Sequence, residues 1–161
     1  MEPDAEEPTM AVRPVLIRRP PSAVWAVLAD GTRYAEWVVG TADSQPVEGT
    51  WPEVGASLRY TIRVGPAELH GRTVVRACEP VSQLELEAQS RLVGTARIGI
   101  DLRPWGEGRT LVTIDEHPLT GPGGRLHTML SDAILQVRNR RMVRRLGHVV
   151  EADSAPPPGG R

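Results

Sequence analysis

The feature that most constrains the fold is the stretch 125–151, which runs without a proline in a chain that holds 15 of them. It follows the breaker run Gly121-Pro122-Gly123-Gly124 and is built from good helix formers, so it predicts one helix of roughly 40 Å at 1.5 Å per residue. A helix of that length needs a partner surface as long as itself. Its apolar residues fall on two stripes, Leu126, Leu130, Ile134 and Val137 on one side and Leu135, Met142, Leu146 and Val150 nearly opposite. The second stripe continues through Asn139 and, toward the N-terminus, through Ser131 or Asp132 and Thr128, so it grades from apolar to polar along one face. That face is expected to meet the rest of the fold. A kink between Val137 and Arg141 is the rival geometry, because a straight helix cannot bury both stripes in one flat contact.

The partner surface is written in residues 56–119, where short alternating runs separated by turn residues predict an antiparallel meander. Leu58, Tyr60, Ile62 and Val64 share one face, Gly65-Pro66 turns the chain, and residues 69–78 form the next strand. Glu79-Pro80 leads to Leu84, Leu86 and Ala88, which alternate with Glu85, Glu87 and Gln89. Ala96, Ile98, Ile100 and Leu102 repeat the pattern, and Val112 and Ile114 carry it to Pro118 after the turn at residues 105–108. Upstream, residues 11–18 read as a first strand stopped by Pro20-Pro21. Two short helices then follow, one with Val24, Trp25, Val27 and Leu28 as its buried face and one over residues 32–37. The expected class is α+β, a curved antiparallel sheet wrapped around a long C-terminal helix, with two short helices after the first strand. Residues 11–152 form that single domain; residues 1–10, acidic and Pro-containing, and residues 153–161, Pro/Gly-rich, read as disordered tails.

Composition excludes several classes. The net charge of −1 argues against a polyanion-binding protein, so no nucleic-acid partner is expected, and the absence of lysine beside many arginines reads as a compositional bias. No stretch approaches the roughly 20 apolar residues that span a bilayer, so no stable membrane insertion is expected. Cys78 is the only cysteine, which rules out an intramolecular disulfide or a Cys-rich zinc site and suits a reducing cytoplasm. His70, His117, His127 and His148 lack any close metal-ligand spacing, and neither a nucleotide fingerprint nor a nucleophile elbow is present; no metal and no cofactor are expected.

Several local sequences carry a resemblance. They are Pro21-Ser22-Ala23-Val24-Trp25 at the first helix, Tyr34-Ala35-Glu36-Trp37-Val38-Val39-Gly40, and Gly49-Thr50-Trp51-Pro52-Glu53-Val54-Gly55. Glu79-Pro80 before a Leu-rich strand, Glu116-His117-Pro118 and Arg138-Asn139 complete the set. In this order they resemble the START-related SRPBCC superfamily of helix-grip proteins, and within it the polyketide cyclase/dehydrase-like branch of small bacterial proteins. The resemblance implies a cavity between sheet and final helix. In that superfamily such a cavity holds lipids, hormones, steroids or polyketide intermediates, and only some members are enzymes.

The chain has no Phe, so a gap between sheet and helix is physically reasonable, and an unfilled apolar gap is a ligand site or a stability defect. Trp37, Trp51 and Tyr60 are expected at its entrance or wall, with core packing as the alternative for each. Ile62, Ile98, Ile100, Leu135 and Met142 are the apolar wall residues of the expected faces. Glu116 points inward by alternation from Val112 and Ile114, where a carboxylate must be paired or have a raised pKa. It is, with Tyr60, the candidate catalytic group; the alternative places it at the sheet end against water or an Arg. Asp132 and Asn139 would complete a polar patch beside it. Arg138, Arg140, Arg141, Arg144 and Arg145 read as a solvated outer face; an inward Arg141 or Arg144 would call for a carboxylate on the ligand. The primary reading is a binding or carrier protein for a small hydrophobic or amphipathic molecule (lipid, steroid-like or polyketide-like). The alternatives are a cofactor-free polyketide aromatase/cyclase or dehydratase and a partner-binding module or homodimer that uses the Leu126, Leu130, Ile134, Val137 stripe.

Overall fold

The computed structural model describes residues 14–90, 94–120 and 128–153. Residues 1–13 and 154–161, and the side chains of Val64 and of residues 128–135, lie outside the described residues; Asp153, expected to open the C-terminal tail, is instead the last residue of the final helix. Strand β1 (Val15–Ile17) is short because Pro20 and Pro21 follow it, and Pro21 opens α1 (Pro21–Leu28), where its fixed φ and missing N–H cost nothing. No side chain caps that N-terminus, and Ser22 lies in the first turn. Val24, Val27 and Leu28 form its buried face, with Trp25 only partly covered. At the C-terminal end Trp51 caps the helix, its indole N–H donating to the Leu28 carbonyl at 3.1 Å.

Asp30 then starts a single 3-10 turn (Gly31–Arg33) by accepting the Thr32 backbone N–H at 3.0 Å, and the chain continues directly into α2 (Tyr34–Trp37). The second short helix expected over residues 32–37 is thus split between two helical types. Strand β2 (Thr41–Glu48) returns along it, and the buried Ser44 hydroxyl ties the two together, donating to the Gly31 carbonyl at 2.9 Å and accepting the Ala35 N–H at 3.2 Å.

The meander follows as β3 (Ser57–Val64), β4 (Ala67–Glu79), β5 (Gln83–Ser90), β6 (Gly94–Pro104) and β7 (Thr110–Thr120). Every pairing is antiparallel and the described strands form one seven-stranded sheet in the order β1-β7-β6-β5-β4-β3-β2. Register shifts between Val75 and Ala77 in β4 and at two points in β2 add local bend, which lets the sheet curl. Its concave face is the predicted one: Leu58 and Tyr60, Leu84 and Leu86, Ile98 and Ile100, Val112 and Ile114 are all buried. The intervening positions carry cross-strand Arg–Glu pairs such as Arg76–Glu87 and Arg97–Glu85 on the wet face.

Helix α3 (Thr128–Asp153) is unbroken over its 26 residues, about 39 Å at 1.5 Å per residue. Asn139, Met142, Val143, Leu146 and Val150 are buried in the grip of the sheet, while Val137 on the opposite stripe is 53% exposed. The stripe running through Asn139, Met142, Leu146 and Val150 therefore faces the sheet in the described half, and the helix runs on without a break through Val137 to Arg141. The C-terminal end is clamped: Arg33 bonds Asp153 at 2.8 Å and Glu36 at 2.6 Å, and Glu151 accepts the Arg18 backbone N–H at 3.1 Å. No described helix is long and apolar enough to cross a membrane.

Candidate functional site

Side-chain size along the inner faces of β5 and β6 explains where the grip is left open. On β5 the inward series runs Leu84, Leu86, Ala88, Ser90, and on β6 it runs Ile100, Ile98, Ala96, Gly94. The two series lie side by side, since Leu84 pairs with Ile100, Leu86 with Ile98, Ala88 with Ala96 and Ser90 with Gly94. Bulk therefore falls off on both strands toward the same end. The core is dense where Leu and Ile meet Met142 and Leu146, and a wedge of space opens where Ala, Ser and Gly replace them. That wedge is a cavity of about 340 Å³. Tyr34, Val38 and Val39 wall it on the α2 side, Tyr60 and Ile62 on β3, Ala88, Ala96 and Ile98 on the sheet floor, and Glu116 and Arg138 at the junction of β7 with α3.

Tyr60 holds its place because its cross-strand partner is Gly71. A Cβ at residue 71 would collide with the Tyr60 ring, so only glycine lets the ring lie across β4 and carry its hydroxyl to the Gln89 carbonyl, to which it donates at 3.2 Å. The ring also sits 6.0 Å from that of Tyr34, which in turn meets Trp37 edge-on at 5.4 Å. The Tyr34 and Thr73 hydroxyls share a buried hydrogen bond of 3.0 Å. Burial raises the pKa of both phenols above the ordinary tyrosine value, so each is a neutral hydroxyl at physiological pH.

Glu116 is inward, as alternation predicts, and its charge is met by the Arg138 guanidinium, whose Nε donates to Glu116 Oε2 at 2.7 Å. The Glu116 side chain is 11% exposed and the Arg138 side chain 33%. Glu116 is thus both inward and paired with an arginine, which joins two readings that the sequence left as alternatives. Among the described lining residues this pair supplies the only formal charges.

Of the residues expected to form the site, Tyr60, Ile62, Ile98 and Glu116 line the cavity. Trp37, Trp51, Ile100, Asn139 and Met142 do not. Trp37 is 1% exposed, turned into the core by its own short helix, and Trp51 is spent on capping α1, so neither stands at an entrance or wall. Ile100 and Met142 lie at the dense end of the wedge, where large side chains close it. Asn139 is buried with its Oδ1 unpartnered, and it does not join the polar patch expected beside Glu116; Arg138, one position away, does. The Asp132 and Leu135 side chains lie outside the described residues. Arg141 and Arg144 are exposed, so the inward arginine is neither of the two considered from sequence. Arg138 escaped the sequence reading because it sits in an Arg-rich run; its place immediately before the polar Asn139 of the sheet-facing stripe was the available signal. The parallel decline of side-chain size on β5 and β6 was a second signal.

A larger depression, about 440 Å³, lies across the outer face of the sheet and is lined mainly by polar side chains including Gln83, Asp101 and Arg103. Those three are exposed surface residues, and Pro14, Leu102 and Leu111 are its only apolar lining among the described residues. Among the described residues no cluster of three or more His, Cys, Asp or Glu is placed to hold a metal.

Comparison with known proteins adds identity to this geometry. The profile of a family described as polyketide cyclase / dehydrase and lipid transport matches residues 9–151. No curated protein sequence matches. Among solved structures the chain is similar to the Zhui aromatase/cyclase of Streptomyces sp. R1128, with a TM-score of 0.66, 16% identity, and coverage of 91% of this chain and 96% of that one. A conserved protein of Geobacillus kaustophilus superposes with a TM-score of 0.68 at 13% identity, covering 87% and 93% of the two chains. At these identities the likeness is one of fold. DynU16, a protein of the dynemicin biosynthetic locus, is 25% identical with a TM-score of 0.59; the match covers 87% of this chain and 46% of DynU16.

Proposed function

The chain belongs to the polyketide cyclase / dehydrase and lipid transport family, and from that premise we propose that it binds a small hydrophobic or amphipathic molecule in the cavity between the sheet, α2 and α3. The observation that carries the reading is the coordinated loss of side-chain bulk on β5 and β6, which leaves an apolar wedge with one ion pair on its wall. A fold that merely needed to be stable would fill that wedge, since an empty apolar volume of this size forfeits contacts. Tyr60, Ile62, Ile98 and Glu116 contact the ligand, with Arg138 added to them.

Binding without turnover is favoured over a cyclase or dehydratase by the state of the two candidate proton carriers. Tyr60 donates its proton to the Gln89 carbonyl, and burial holds its pKa up, which disfavours the phenolate. Glu116 is committed to Arg138. The enzyme reading keeps the family and the presence of Glu116 and Tyr60 in one cavity in its favour, and a homodimer contact that includes the exposed Val137 is a further alternative. A site of action in the reducing cytoplasm is supported by the lone Cys78.

Native mass spectrometry of the protein purified from its own host tests the proposal. A retained small molecule released unchanged on denaturation is expected. A protein that emerges empty and takes up nothing from a panel of apolar and aromatic compounds would overturn it, and a bound compound that loses water or cyclises on incubation would replace it with the enzyme reading.

A further inference from the structure

The polar wall of the cavity limits the chemistry of what can fill it. We infer that the occupant is a compact, uncharged molecule carrying a hydroxyl group, which accepts a hydrogen bond from Arg138 and donates one to Glu116. This inference rests on the cavity being the binding site.

Three observations combine. The cavity of about 340 Å³ lies at the small end of the range of small-molecule sites, which suits a compact body of few rings better than a two-chain lipid. Ile62, Ala88, Ala96 and Ile98 give the cavity an apolar floor, and the other polar lining residues, such as Thr41, Ser90 and Thr95, carry no charge. Glu116 and Arg138, 2.7 Å apart, then form a net-neutral pair that uses one guanidinium nitrogen and one carboxylate oxygen in their bond.

Charge and desolvation discriminate between ligand classes at such a pair. A carboxylate placed against it meets an arginine whose charge is already compensated, and it lies beside the like charge of Glu116 in a partly desolvated site. A purely hydrocarbon ligand displaces water from polar atoms of both side chains and returns no hydrogen bond. A neutral hydroxyl does neither, because one oxygen has lone pairs for a guanidinium N–H and a proton for a carboxylate oxygen. Hydrogen bonds to charged groups are the stronger kind, so discrimination of about tenfold is expected from them.

Isothermal titration of the intact protein at pH 7 with naphthalene, 2-naphthol and 2-naphthoate, three probes that share one ring body, tests this. The naphthol is expected to bind about tenfold more tightly than naphthalene, with naphthoate no tighter than naphthalene. In Glu116→Gln the order should invert toward naphthoate, since Arg138 then stands without its counter-charge; in Glu116→Gln/Arg138→Gln the preference for naphthol over naphthalene should shrink. If wild-type protein binds naphthalene and naphthol equally, or naphthoate most tightly, the inference fails while cavity binding stands. If none of the three binds, cavity binding itself fails and the inference with it. The wild-type comparison decides the matter even if a variant does not fold.

Discussion

At Gly71 the chain carries no side chain because the Tyr60 ring occupies the space where one would begin. Ring and glycine are direct partners across β3 and β4, so the position of the phenol, and with it one wall of the cavity, depends on a residue that contributes no atoms to that wall. Gly71→Ala should therefore destabilise the protein by about 1–3 kcal/mol, the usual cost of overpacking. That cost should largely vanish when the same substitution is made in a Tyr60→Ala background, because the collision disappears with the ring, although losing the ring carries its own cost. Urea denaturation of the single and double variants checks this; additive losses would show that the alanine is tolerated or rejected for another reason. Alternation identified Tyr60 as inward from sequence alone. The role of Gly71 was not legible there, since a glycine in a strand also marks a bulge or a weak point, and only the cross-strand register says which ring lies over it.

Among the elements, α3 shows how far periodicity reaches. Two apolar stripes compete for the interior in sequence, and the one that grades through Asn139, read there as the sheet-facing one, is the one that is buried in the described half. Met142, Leu146 and Val150 are fully buried while Val137 is half exposed. Leu146→Ala should accordingly cost about 2–5 kcal/mol through lost contacts and a residual void. Val137→Ala should stay within roughly 0.5 kcal/mol of the parent, as an exposed substitution toward a better helix former. Thermal or urea unfolding of the pair separates them, and equal losses would mean that the helix is rotated in solution or that Val137 is covered by a second copy. The Arg run on the same helix illustrates the opposite limit. Five arginines at positions 138–145 look alike in sequence, and only the approach of β7 singles out Arg138 by placing Glu116 within 2.7 Å of it.

Across the whole molecule, helix and sheet are tied by a few polar contacts as well as by the core. Tyr34 on α2 is 2% exposed and bonded to Thr73 on β4, so the helical layer and the sheet share a buried hydroxyl pair. Its pKa lies above the unfolded value near 10 because burial penalises the phenolate. The folded state then holds its proton more tightly than the unfolded chain. Stability from this group is complete below pH about 10 and is lost as pH rises beyond it, where the unfolded chain ionises first. Urea midpoints measured from pH 8 to 11.5 should fall from about pH 10 upward. Tyr34→Phe should be less stable at pH 8 by about 1 kcal/mol and show a shallower fall. An unchanged slope would mean that another group governs the alkaline transition, with Tyr60, also raised by burial, the first to examine.

The sequence by itself determined the class of fold, the order of the meander strands and helices, and the buried faces of β3, β5, β6 and β7, because period-2 and period-3.6 patterns and Pro/Gly punctuation are local properties; it did not identify β2 as a strand of the sheet. It also determined that Glu116 points inward. The tertiary structure decided the content of the site. Trp37 and Trp51 became core and cap residues, since which surface an aromatic ring meets depends on the packing of three separate segments. Arg138 became the counter-charge of Glu116, a relation between residues 22 positions apart in sequence. The cavity itself arose from Ala88 and Ala96 lying opposite each other beyond their Leu and Ile neighbours, and that coincidence exists only once β5 and β6 are in register.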